Sequence, residues 1–233
     1  MKLFLAITLI SAVTTSSFGQ RVIDVSKNEK IDQSMFMVVN GEPFVSAKFV
    51  NLVHGSPYFN DEWLKGDAVT ANGFLVKGGT FKIDLVSNDV HFQGEKGIEM
   101  IATKPLKELT LTDDAGKSFH FLYSSTFPQD WDLKKGWYLQ LATGKATLLS
   151  MIRKAVLETK PYGSATYEQR IETKQDFYLV ERGVVTRIAK IKDAPAAFST
   201  GTADLQKFFK SNEGKYKSDA EKLTELVEYY NSL

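Results

Sequence analysis

From about Met35 to Ile191 the chain is a succession of short runs in which apolar and polar residues alternate, each run cut off by a turn signal. A period of two puts every second side chain on one face, so such a stretch buries its apolar half as antiparallel sheet. TFKIDLVSNDVHFQ is the clearest hairpin. Phe81, Ile83 and Leu85 share one face, Lys82 and Asp84 the other; Ser87-Asn88-Asp89 turns the chain, and Val90 and Phe92 return on a common face. LTLTDDAGKSFHF repeats the scheme, turning from Asp113 to Gly116, with Phe119, Phe121 and Tyr123 in alternation. WYLQLATGKATLL turns at Thr143-Gly144, and FYLVERGVVTRI turns at Arg182-Gly183, where glycine accepts the positive φ of a tight hairpin.

The period changes near the end. In TADLQKFFK, Leu205, Phe208 and Phe209 fall at helical spacing, and SDAEKLTELVEYYNSL offers Ser218 as N-cap with Glu221 three positions on, a capping box. The stripe Leu223, Leu226, Val227 and Tyr230 needs a surface to cover it, because helices this short are marginal alone. The predicted fold is therefore mainly β with an α tail. It is an antiparallel hairpin meander, open-barrel or sandwich-like, over 20–193, followed by two C-terminal helices over 194–233 that dock on it. A terminal helix also argues against an outer-membrane barrel.

The opening MKLFLAITLISAVTTSSFGQ has one lysine, an apolar run from Leu3 to Val13 and small residues before Gln20, the pattern of a signal peptide over 1–19. The run is too short to span a bilayer, which takes about 20 apolar residues. The expected destination is the periplasm or cell exterior. No cysteine is present, so the fold rests on its core without disulfides. Lys and Arg number 29 against 28 Asp and Glu, and Lys2 leaves with the signal peptide; a balance this even, with no basic cluster, argues against nucleic acid as a partner.

The residues that carry chemistry are sparse. AGKS, from Ala115 to Ser118, lacks the glycine and the helix of a phosphate loop and reads as a hairpin turn. His54, His91 and His120 have no metal-ligand spacing; His91 and His120 occupy similar places in successive hairpins, opposite the aromatic face, and read as solvent-facing strand residues more than as a metal pair. The acidic pairs Asp61-Glu62 and Asp113-Asp114, and Asp130-Trp131-Asp132, lie beside turn residues, where Asp is favoured for geometry alone. A glycosidase would need two such carboxylates facing across a cleft. No metal ligand set and no cofactor motif is legible. Trp63, Trp131 and Trp137 each adjoin polar, turn-rich sequence and serve either as core anchors or, with Tyr58, as a stacking platform for a ligand.

GSPYFNDEWLKG, from Gly55 to Gly66, together with DLVSNDV, YGSATYEQRIET and the terminal LVEYYNSL, resembles a group of exported proteins common in Bacteroidota that carry a G-x-P-[FY]-x-x-x-x-W-x-x-G segment. The likeness spans nearly the whole chain after the signal peptide. It implies envelope export and a shared fold, and supplies no reaction. Within the segment, Pro57 biases Ser56 toward extended backbone and Gly66 ends an excursion. Asp61 and Glu62 are then expected to face water while Trp63 packs inward as a plug. The function expected is a non-enzymatic envelope or surface binding module for an apolar molecule, a glycan or another envelope protein, its aromatic content of 12 % supplying contact surface. A carboxylate-dependent hydrolase and a structural or signalling partner of an envelope system are the alternatives.

Overall fold

A computed structural model describes residues 22–24, 38–44, 52–163 and 166–233. The signal-peptide assignment falls outside them. Thirteen strands among the described residues join one sheet: β1 (Val22–Asp24), β2 (Gly41–Pro43), β3 (Leu52–His54), β4 (Leu64–Thr70), β5 (Leu75–Ile83), β6 (Val90–Gln93), β7 (Glu99–Ala102), β8 (Leu106–Thr112), β9 (Ser118–Tyr123), β10 (Trp137–Ala142), β11 (Ala146–Thr159), β12 (Glu168–Glu181) and β13 (Val184–Ile188). Two helices close the chain, α1 (Thr202–Ser211) and α2 (Asp219–Ser232). The fold is an antiparallel β meander with C-terminal helices.

The four hairpins pair as the alternation requires: β5 with β6, β8 with β9, β10 with β11, β12 with β13. Arg182 and Gly183 both take positive φ, 51° and 78°, at the last turn. The order β13-β12-β11-β10-β9-β8-β4-β5-β6-β7-β2 leaves the simple meander at two places, where β2 lies beside β7 and where the chain leaves β7 and returns as β8 beside β4. Local pattern carries no information about that step. The crossover at 103–105 is held by backbone bonds, Lys104 N–H to Val39 O (2.9 Å) and Ala71 N–H to Pro105 O (2.8 Å).

The sheet curls, and one face of it is covered in different ways at its two ends. Around β4–β10 the inward side chains form one core that includes Phe81, Phe92, Leu109, Leu111, Phe121 and Trp137, all at most 3 % exposed. Around β11–β13 the same face turns to the helices, and Leu148, Phe177, Leu179 and Ile188 pack with Leu205, Phe209, Leu223, Leu226 and Val227. Large apolar side chains removed from water contribute roughly 1.5–3 kcal/mol each, so this second cluster fixes the tail on the sheet. Ser218 Oγ accepts the Glu221 N–H (3.2 Å) and the Glu221 carboxylate reaches back to the Lys217 N–H (2.9 Å). The box has thus closed one residue earlier than the simple capping pattern.

Between β3 and β4 the chain acts as a strap. β3 runs parallel to β12, with Leu52 opposite Gln169 and His54 opposite Arg170. A few residues on, the Phe59 N–H donates to Ile83 O (2.8 Å) and the Leu85 N–H to Pro57 O (2.9 Å). The strap therefore ties the long β11–β12 hairpin to the end of β5. Lys154 on β11 secures it: its ammonium donates to the carbonyls of Ser56 (2.9 Å) and Tyr58 (2.5 Å). Burial lowers the Lys154 pKa, with Asp61 and Asp84 acting the other way.

Candidate functional site

The strap corrects the expected role of Trp63. The side chain entering the core from GSPYFNDEW is Phe59, which meets Phe119 and Phe121 edge-on at 5.1 and 4.9 Å. Parity explains it: Leu64 is paired with Phe81 and both point inward, so Trp63 must point outward. There Trp63 is only partly buried, and the Lys82 ammonium lies 5.0 Å from its ring centroid and 4.9 Å from that of Tyr58. Gly66 ends no excursion either. It sits inside β4, at a bulge, where a Cβ would come within 2.0 Å of Thr110 O. Asp61 and Glu62 are exposed, as the sequence leads one to expect.

Beside Tyr58 the outer face holds a small polar network. Glu99 accepts the Tyr58 hydroxyl (3.1 Å) and stands 2.6 Å from His91 Nδ1. His91 is 1 % exposed, packed edge-on by Phe44 and Tyr58, and its Nε2 has no partner among the described residues. Burial first, and then the Glu99 charge, push the Tyr58 hydroxyl well above its ordinary pKa, so it remains a donor. The solvent-facing place expected of His91 is thus corrected, and His91 and His120 do not meet. β5, β4 and β8 lie between their strands, and His120 bonds Gln140 instead (3.0 Å).

The other sequence candidates stand apart from Tyr58 and Trp63. Trp131, half-buried on a 3₁₀ turn, stacks on Phe127 (5.6 Å, 20° between planes), which abuts Tyr138 on the opposite side of the sheet. Trp137 is 3 % exposed, donates its indole N–H to Asn88 O (3.2 Å) and meets Tyr123 edge-on at 5.0 Å. Of the acidic pairs, Asp113 spends its carboxylate on the N–H groups of Ala115 and Lys117, holding its own turn.

Trp137 nonetheless borders a concave surface. A pocket of about 300 Å³ opens between the 103–105 crossover, the Asn88-Asp89 turn, Tyr123 and Trp137. It shares Lys104 and Pro105 with a pocket of about 240 Å³ that adds Phe74, Asn72 and Thr70. On its other side it shares Asn88 and Lys135 with one of about 280 Å³ under β11 and β12. The three form one groove along the rim of the curled sheet. Its walls mix aromatic edges, hydroxyl and amide groups, and cations, the composition of a ligand site more than of a packing defect.

Groups from hairpins distant in sequence build this groove, and none was legible as a motif. Asn88, in the left-handed region at φ 65°, directs its carbonyl to Trp137. Lys135 follows the 3₁₀ turn that carries Trp131. Arg153 projects from β11 and is bound to Asp176, which also accepts from Arg187 at 2.7 Å. Burial opposes the Asp176 charge, but the two guanidinium groups hold its carboxyl below the ordinary value.

Fold and groove together define the class: a cysteine-free antiparallel β-sheet protein with a packed interior, a helical tail and a rim groove. Comparison of the chain with protein-family models, with curated proteins and with solved structures gives no match.

Proposed function

We propose that this is an exported, non-enzymatic binding module of the cell envelope or surface, of the Bacteroidota group its GSPYFNDEWLKG segment resembles, and that its ligand lies in the rim groove. One observation carries the reading. The inward side chains of the curled sheet pack against one another, whereas the rim stays open and chemically mixed over three joined pockets. An apolar molecule would need the interior, which Phe81, Phe92, Phe121 and Phe59 occupy. A glycan suits the groove better, since aromatic edges and amides match sugar faces and hydroxyls.

A protein partner is favoured by a different feature. The far half of the β11–β12 hairpin is largely exposed, with Tyr162 fully in water near its tip and Tyr167 53 % exposed under the Lys160 ammonium. Exposed tyrosines make good contact residues.

Native mass spectrometry of protein recovered from the envelope and medium of its own host tests both readings, with the N-terminal residue read from the same sample. A chain starting near Gln20 and carrying sugar mass supports the proposal. An unprocessed cytoplasmic chain, or turnover of an acid-labile glycoside by the purified protein, overturns it.

A further inference from the structure

Away from the rim, we propose a second binding site, for a short apolar peptide with both ends free, in the cleft between α2 and strands β9 and β10. Its volume is about 450 Å³, within the range of small-ligand sites. The sheet supplies the floor: Leu139 and Leu141, alternate residues of β10, with Phe119 of β9. Leu141 packs against both core clusters, so the cleft lies on the seam where the helix-covered part of the sheet meets the rest. The apolar stripe of α2, Leu223, Leu226, Val227 and Tyr230, is spent on the second cluster. The flank of the same helix, with Ala220 and Thr224 one turn apart, forms the wall, and a side chain larger than Ala220 would fill part of the space.

Most neutral polar groups of the cleft are already used. Ser218 Oγ accepts the Glu221 N–H (3.2 Å), the Thr224 hydroxyl donates to Ala220 O (2.8 Å), and Gln140 bonds His120 (3.0 Å). The charges on its two sides are not. On α2, the Glu225 carboxylate makes no hydrogen bond or ion pair among the described residues, and that of Glu221, one turn earlier, accepts only the Lys217 N–H (2.9 Å). Like charges at this spacing repel, and a bound cation between them removes that cost. Lys222, next along the helix, is turned away over the Phe209 ring at 3.9 Å. Burial, and then the Glu225 and Glu221 charges, raise the Tyr216 phenol above its ordinary pKa, as a negative helix wall requires. On the sheet side the Lys117 ammonium lies 5.1 Å from the Phe119 ring centroid and has no carboxylate partner among the described residues. The cleft is thus anionic along its helix wall, cationic on its sheet side and apolar between. A peptide of two or three apolar residues carries an ammonium, an apolar body and a carboxylate in that order, and three extended residues reach roughly 10 Å. An alkyl chain would leave both charged sides unmatched, and a sugar would lay hydroxyls on a floor that returns no hydrogen bond.

The test is titration of the full chain with trileucine, with N-acetyl-trileucine and with trileucine amide, read by calorimetry and by the backbone amide shifts of Phe119 and Leu141. Trileucine should bind and move both amides, with affinity falling as salt rises. Each capped form should bind at least tenfold more weakly. Glu225→Gln should weaken trileucine at least tenfold and leave the acetylated form unchanged, and Lys117→Gln should do the same with the amide form as its control. Lys210→Gln on α1 should change nothing; matched melting curves exclude unfolding. Equal binding of free and capped peptides, or binding indifferent to Glu225→Gln and Lys117→Gln, overturns the proposal. So does an absence of binding, or binding that moves neither amide. None of these outcomes bears on the rim groove, so the reading above stands or falls separately.

Discussion

The Glu181 carboxylate, on β12, accepts the Tyr230 hydroxyl from the last turn of α2, and also the hydroxyl and backbone N–H of Ser199 (2.6 and 2.9 Å). One buried charge, 8 % exposed, thus joins the sheet, the segment before α1 and the terminal helix. Tyr230→Phe should cost about 1–3 kcal/mol, because a buried acceptor loses a donor. Ending the chain at Thr202 should lower the melting temperature in one cooperative transition, measured by circular dichroism. An unchanged melt would mean that α1 and α2 contribute nothing to the core.

The acid limb of stability follows from the same carboxylate and from Asp176. Burial works against both charges, yet hydrogen bonds from Ser199 and Tyr230 at Glu181, and from Arg187 and Arg153 at Asp176, hold each carboxyl below its ordinary value. The folded state therefore binds fewer protons than the unfolded state in the window beneath the usual range of about 4, and stability there rises with pH. The contribution is complete above that range and is lost as pH falls through the folded values. Urea melts from pH 6 to pH 2.5 should show the midpoint falling, with Asp176→Asn flattening the slope.

The strap gives a backbone test. Gly55 has φ +86°, and a Cβ there would lie 2.8 Å from Ile171 Cβ. Gly55→Ala should destabilise by about 1–3 kcal/mol from strain alone. It should also speed amide exchange at Phe59 and Leu85, whose N–H groups hold the strap to β5. Equal exchange in wild type and variant would argue that the strap does not close the sheet.

Phe59 takes the inward place that sequence suggests for Trp63. Phe59→Ala should cost about 2–4 kcal/mol as an aromatic lost against Phe119 and Phe121. Trp63→Ala should cost no more than about 1 kcal/mol, the scale of its contact with Lys82. The double change Asp61→Asn, Glu62→Gln should stay within about 0.5 kcal/mol, both side chains being exposed. Chemical denaturation of the three variants ranks them directly.

The hairpins were readable because strand pairs of this kind are local. Alternation in TFKIDLV and VHF sets which face is buried, and Asn88, Arg182 and Gly183 supply the left-handed backbone that the turns require. Trp63 was misplaced for a related reason. Parity fixes its face only once Leu64 is known to pair with Phe81, and a loop reading of NDEW hid the start of β4. The groove had no signature at all, since Lys104, Asn88, Lys135 and Lys174 come from four separate connections and strands.

By itself, then, the sequence determined what depends on neighbours along the chain: the antiparallel hairpins, the capped helix at Ser218 and the apolar stripe that needed a surface. The tertiary structure alone decided the crossover that sets β8 beside β4, the strap locked by Lys154, the burial of Glu181 under Tyr230 and the pockets on the rim. These join residues tens of positions apart, and periodicity, which reports only which side of a strand or helix a residue occupies, carries no record of which distant element will cover it.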